Sequence, residues 1–362
     1  MSDSVAEFAR ARIAGTDIWT KDDMPPALMA AMGEAGLFRI GLPAAYGGTG
    51  GGYPAIAAAE QTLMAVGGIA GIGTIFGSHQ MVARYYFVDH ASPAQKQQYL
   101  PALASGALTV AVAISEPEVG AHPKKLTTTA HRSAAGWVLN GRKAYVTNGP
   151  LAGLFIVLAI TAAVGDRKRY SAFLVPRDAP GLAVHHAPTS AGSRPAGHVS
   201  LILEQCELGP DAMLGAEGTA YETMALGFRD AEDGVGTAGM VGKLKHCLGL
   251  LAQEYGTAMP DEVAAELGAL AGLVELAAEA TAALAQAGED GTLMATRPQA
   301  LNIGARQLGM MLVARIRAFP VAPGAERAPR IIALLASVDG GMNVARGPRL
   351  ARVVKLGRAI SP

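Results

Sequence analysis

The sequence predicts an α+β fold of several domains: an N-terminal α-helical domain (residues 1–110), a small middle β-barrel or sheet domain (111–215) and a C-terminal α-helical bundle (216–362). Three observations predict it. Capped amphipathic segments fill the first part, β-rich runs broken by turn residues fill the middle, and helical periodicity returns in the last part.

In the first part, Pro25-Pro26 opens a run in which Leu28, Met29 and Met32 recur at helical spacing, and Gly36 stands where a C-cap is expected. Ser92-Pro93-Ala94-Gln95 has the capping-box form, so a further helix carrying Tyr99 and Leu100 begins there. The glycine-rich AAYGGTGGGY between them lacks the preceding strand and the spacing of a phosphate-binding loop, and reads as a turn.

In the middle part, GWVLNGRKAYVTNG, LFIVLAI and YSAFLVP read as strands, and HVSLILEQCEL as a late strand closing the same sheet. Asn140-Gly141 predicts a type I′ hairpin turn, because both residues tolerate positive φ. In the last part, Val263, Leu267, Leu270, Val274 and Ala277 mark one helix face. Thr296-Arg297-Pro298-Gln299 caps a second helix, whose apolar side continues through Leu301, Leu308, Leu312 and Ile316.

Half of the 362 residues are hydrophobic and 17% are charged, while Lys+Arg and Asp+Glu balance at 30 each. That composition favours a compact chain and gives nucleic acid no electrostatic footprint. The best apolar run, Leu154–Val164, is shorter than the roughly 20 residues of a spanning helix, so no membrane partner is expected. The first residues lack the apolar core of a secretory signal, and a cytoplasmic location is the expectation. Cys206 and Cys247 lack metal-ligand spacing and read as small buried hydrophobes.

Several blocks carry a resemblance. GLPAAYGG, QKQQYLPALASG, AISEPEVGA, LNGRKAYVTNG and SAFLVPRDAPGL occur in this order. They are similar to blocks of the acyl-CoA dehydrogenase family, among them Pro-x-x-Tyr-Gly-Gly, Thr-Glu-Pro-x-x-Gly-Ser-Asp and Asn-Gly-x-Lys-x-x-Ile-Thr-Asn. The resemblance implies FAD as cofactor and α,β-desaturation of an acyl thioester: a carboxylate removes the α proton and the β hydrogen leaves as hydride to the flavin. It implies that Ser115 meets the pyrimidine edge of the flavin, Thr147 its N5 edge, and that Tyr145 packs beside the ring. Ala121-His122 stands where the family has Ser-Asp, which puts Ala121 at the flavin pyrophosphate and acyl-CoA, and His122 at the substrate. Gly340 and Gly341, in SVDGGMN, fall on a dinucleotide-contact segment.

The base departs from the common pattern. Most of the family takes it from a glutamate near the C-terminus, where this chain reads RLARVVKLGRAISP without an acidic residue. A minority takes it from a helix of the last domain. Asp230-Ala231-Glu232-Asp233, ahead of Gly239-Met240-Val241-Gly242, resembles that segment and makes Glu232 the candidate base, with Asp233 where the family has arginine. Read without the resemblance, the acidic run is a solvated helix start. The family's Arg-x-x-Phe-Gly clamp is missing after LAQEY. Arg346, Arg349, Arg352, Lys355 and Arg358 make the tail basic, which suits either CoA phosphates or a solvated helix. The resemblance further implies an acyl-CoA or other acyl thioester as substrate, electron-transfer flavoprotein as acceptor, and a homodimer or tetramer. Two alternatives accompany it: a non-catalytic or half-site subunit of a hetero-oligomer, and a flavin-dependent oxidase or monooxygenase.

Overall fold

The computed structural model describes residues 2–322, 326, 328–343 and 346–360. Five helices come first: α1 (Ser2–Arg12), α2 (Pro26–Glu34), α3 (Gly52–Gly67), α4 (Ala70–Val82) and α5 (Pro93–Ser105). Eight strands follow: β1 (Val110–Ala113), β2 (Thr129–Ser133), β3 (Gly136–Thr147), β4 (Leu154–Val164), β5 (Arg167–Pro176), β6 (Leu182–His186), β7 (His198–Leu208) and β8 (Met213–Leu214). The chain then returns to helix with α6 (Leu226–Val235), α7 (Thr237–Tyr255), α8 (Asp261–Glu289), α9 (Thr296–Ala318), α10 (Pro329–Asn343) and α11 (Arg346–Ile360).

Local signals explain some of the helix ends. Ser92 accepts from the Gln95 N–H at 3.2 Å while the Gln95 side chain accepts from the Ser92 N–H at 3.0 Å, so the capping box at α5 is complete. Gly36, just past α2, is left-handed with φ 73°. In the glycine-rich loop, Gly47, Gly50, Gly51 and Gly52 all have positive φ. The anion position at the start of α3 is taken by the protein's own Glu289, whose carboxylate accepts from the Tyr53 N–H at 2.9 Å. At α9 the outcome differs from the expectation: Ala295 is the N-cap, and no side chain caps the helix.

The strands form one sheet in the order β6-β7-β3-β2-β4-β5-β8, with β1 pairing parallel to β4. Residues 154–159 of β4 are buried on both faces, and their side chains alternate between two cores. Leu154, Ile156 and Leu158 pack with the N-terminal helices and α6, whereas Phe155, Val157 and Ala159 join Trp137, Phe173 and Cys206 inside the sheet. A third core, with Cys247, Leu270, Val274 and Leu312, holds the C-terminal helices together.

Asn140-Gly141 is not a hairpin turn. Strand β3 runs straight through it, and the turn between β2 and β3 is Ala134-Ala135. The dipeptide instead forms a bulge against β7, where the register shifts between Leu139 and Gly141. Asn140 Oδ1 accepts from the Gln205 N–H at 2.8 Å, and Gly141 adopts φ 151° beside Thr128, where a Cβ would lie 2.5 Å from Oγ1. The permissive backbone that suits a turn serves a bulge equally well, and the partner strand decides between them.

The most apolar long segment is a helix, not β4. Helix α8 is long and apolar enough, by length and composition, to cross a membrane, and it packs against α3, α6, α7 and α9.

Candidate active site

A cavity of ≈ 340 Å³ lies where the ends of β1 and β3 meet α4 and α6. Val82, Val110, Val112, Ile114 and Phe228 supply apolar walls, and Ser115, Tyr145, Thr147, Arg229 and Glu232 the polar groups.

The strand side is fixed by a buried ion pair. Ser115 follows β1, and its carbonyl accepts from the Ala144 N–H at 2.9 Å, which ties it to β3. Next in the chain, Glu116 folds under this connection. Its carboxylate accepts from the N–H groups of Thr127 (2.7 Å) and Thr128 (2.9 Å), the Thr127 hydroxyl (2.8 Å) and Lys143 Nζ (3.0 Å). Lys143 is fully buried and donates also to the Ile114 carbonyl at 3.1 Å. Burial alone would raise the Glu116 pKa; the Lys143 ammonium and the threonine donors instead hold it at about 2. Burial draws Lys143 down to about 8 in spite of Glu116. The two partners thus respond unequally: the arrangement favours the carboxylate and strains the ammonium. A buried pair contributes little net stability, so the firm result is positional: it pins residues 114–116 onto β3.

Two residues later the β3–β7 register shifts between Lys143 and Val146. Tyr145 takes φ 58° there and is 70% exposed. Positive φ in a bulky aromatic is strained, and here it turns the ring out of the sheet to line the cavity. Asn148, with φ 62°, donates from Nδ2 to the Ile75 carbonyl at 2.8 Å and so fastens this end of β3 to α4.

The opposite wall is α6. Glu232 lies well past the first turn of this helix, and the acidic run around it is not a solvated helix start. Asp230 and Asp233 are buried. Asp230 pairs with Arg352, and Asp233 with Arg349 (2.6 Å), Arg306 (3.1 Å) and Arg352 (3.5 Å). Two arginines of the basic tail, Arg349 and Arg352, are therefore only partly exposed and are engaged by the α6 carboxylates; the side chain of Arg346 lies outside the described residues. Glu232 alone of the three carboxylates opens on the cavity. Its side chain is exposed to the cavity, yet protein crowds round it on the other sides; that enclosure and the Asp233 charge push its pKa up to about 8, and Arg349 only partly offsets both.

Ser115, Ala121, Tyr145, Thr147 and Glu232 thus line one cavity. His122 does not: it is exposed in the turn after Gly120, and its carbonyl accepts from the N–H groups of Lys125 and Leu126. Gly341 lines an adjoining cavity that shares Ser78, Thr147, Arg229 and Glu232 with the first. Gly340 lines neither; both glycines lie in α10, not in a turn. Sequence reasoning missed Lys143, Arg229 and the positional role of Glu116. The signal available was a lysine inside a strand that is otherwise largely apolar on either side of Asn140-Gly141. Among the described residues no cluster of His, Cys, Asp and Glu could hold a metal ion.

The family model for the acyl-CoA dehydrogenase N-terminal domain matches residues 1–107, and that for the acyl-CoA dehydrogenase middle domain matches residues 111–206. The chain is 32% identical over 250 residues to the mitochondrial isovaleryl-CoA dehydrogenase of Oryza sativa subsp. japonica, a match covering 68% of this chain and 60% of that protein. It therefore spans about 60% of the length of the curated relatives it matches. Among solved structures, a glutaryl-CoA dehydrogenase from Mycobacterium smegmatis in complex with FADH2 superposes with TM-score 0.84 at 19% identity, covering 99% of this chain and 93% of that one. The prolyl acyl carrier protein oxidase AnaB superposes with TM-score 0.83 at 23% identity, covering 100% and 98%. At these identities the structures establish the fold. With two consecutive domain models matched and the three-part architecture in place, this chain belongs to the acyl-CoA dehydrogenase family.

Proposed function

We propose that this protein is a flavin-dependent acyl-thioester dehydrogenase in which Glu232 removes the α proton. The observation that carries the reading is Glu232 itself: a carboxylate raised to about 8, opening on the same cavity as Ser115, Tyr145 and Thr147. A general base works best with a pKa near the operating pH, and the enclosing cavity walls, with the Asp233 charge beside it, have moved this one there.

The residues present fit the ring system of FAD. Apolar walls suit a flat aromatic, and the Ser115 and Thr147 hydroxyls have no partner among the described residues, which leaves them to bond a polar ring edge. Arg229 Nε is likewise buried without a hydrogen bond. When bound, FAD supplies the hydride acceptor for the β hydrogen. Ser115 and Thr147 would hold the ring, Tyr145 would flank it, and Glu232 would take the α proton onto its carboxylate oxygen.

A second reading has one observation in its favour. Of the residues expected at the dinucleotide end, only Ala121 lines this cavity, and its methyl group offers no hydrogen bond. On that reading the site is completed by a partner subunit. The deciding experiment is the visible spectrum of the purified protein with FAD, before and after anaerobic addition of an acyl-CoA panel. Bound flavin that bleaches supports the dehydrogenase. Protein that stays colourless alone, yet holds FAD when mixed with a catalytic member of the family, supports the half-site subunit.

A further inference from the structure

Behind Glu232 the adjoining cavity, also ≈ 340 Å³, has a polar inner wall. Glu60 of α3 and Lys243 of α7 line it, with Thr74 of α4 beside them. Glu60 is only 8% exposed, and it draws no hydrogen bond from a described residue; Lys243 acts on it through space alone. Two glycines make room for its carboxylate. A Cβ on Gly77 would lie 2.6 Å from Glu60 Cδ, and one on Gly239 would lie 2.5 Å from Oε1. Burial raises Glu60 to about 7, with Lys243 opposing, and lowers Lys243, with Glu60 opposing. Both groups are thus ill at ease where they stand. A plain hydrocarbon tail filling this chamber would strip water from the carboxyl and the amine and offer no hydrogen bond in return, so the lining does not suit one.

Resting on the reading of Glu232 as the base, we propose that Glu60 and Lys243 form a specificity site for the far end of the acyl group. It selects acyl thioesters whose chain ends in a group that both donates and accepts hydrogen bonds, such as a hydroxyl. That group would donate to Glu60 and accept from Lys243, giving each the partner it lacks. Glu232, on the border of both cavities, would then face the α carbon of a chain whose end is held behind it.

The test compares γ-hydroxybutyryl-CoA with pentanoyl-CoA, which has the same chain length and a methyl group in place of the hydroxyl. Binding to the FAD-loaded protein is measured by calorimetry, and flavin bleaching is followed anaerobically. The hydroxyl thioester is expected to bind at least about tenfold tighter. Glu60→Leu and Lys243→Met are each expected to remove that preference while pentanoyl-CoA binds as well as before or better. Should Glu60→Leu fail to fold, Lys243→Met decides. Equal or tighter binding of pentanoyl-CoA by the wild type, with normal bleaching, overturns the specificity site and leaves the dehydrogenase standing. If neither thioester binds or bleaches the flavin, the reading of Glu232 falls and this one with it.

Discussion

The two walls of the cavity are built in contrasting ways. The strand wall is held by one buried pair, Glu116–Lys143, whose members lie in the same small domain and satisfy nearby backbone groups. The helix wall is held by a network in which Asp230 and Asp233 of α6 collect arginines from α9 and α11. A single pair fails as a unit when one member is lost. A network with several cations shares the loss, but two of its members, Asp233 and Arg349, act directly on Glu232. The strand wall is therefore a question of stability, and the helix wall one of tuning.

The largest expected effect breaks the comparison at the reacting group. Glu232→Gln should slow thioester-dependent flavin reduction on the order of 10²–10⁴-fold, as loss of a general base does, and leave FAD affinity unchanged in a titration. Wild-type rates in stopped-flow would remove Glu232 from the chemistry.

Next comes the strand wall. Lys143→Met leaves Glu116 buried without its cation and should destabilise the fold by about 3–5 kcal/mol in urea unfolding, whereas Arg349→Gln, which leaves Asp233 two other arginines, should cost about 1 kcal/mol or less. Equal losses would erase the distinction between pair and network.

The two walls should also part company in pH. Glu116 sits below its unfolded value, so its contribution is present at neutral pH and is lost as pH falls from about 4.5 toward 2. Glu232 sits above its unfolded value, so its contribution is complete in acid and is lost as pH rises through about 8. Glu116→Gln should flatten the acid limb of a stability curve, and Glu232→Gln the decline between about 4.5 and about 8.

The smallest effect is the sharpest on tuning. The rate of flavin reduction should climb with pH through about 8 as Glu232 loses its proton, and Arg349→Gln should move that limb to higher pH, because Arg349 is the cation that lowers Glu232. An unmoved limb would mean that the network does not reach the base.

These contrasts also sort what was legible in the sequence. The capping box of α5, the strand character of β4 and the candidate residues Ser115, Tyr145, Thr147 and Glu232 rest on short local patterns or on motif blocks. The bulge at Asn140-Gly141 was not legible, since a turn and a bulge ask the same of those two residues and only β7 distinguishes them. The acidic run on α6 reads as solvated because its arginines arrive from helices far along the chain. Glu60, in an alanine-rich helix, shows nothing locally of the cavity it faces.

Strand β4 carries one more consequence. Its neighbouring side chains belong to different cores, yet both sets are apolar. Over residues 154–159 a slip by one residue would exchange the sets without exposing a polar side chain, so polarity gives this part of β4 no defence against misalignment. Shape has to provide it: Phe155 on one side and the smaller Ala159 along the same face must each find a space of its own size. Substitutions that keep volume should be absorbed in this strand, whereas removal of one residue should scramble two cores at once.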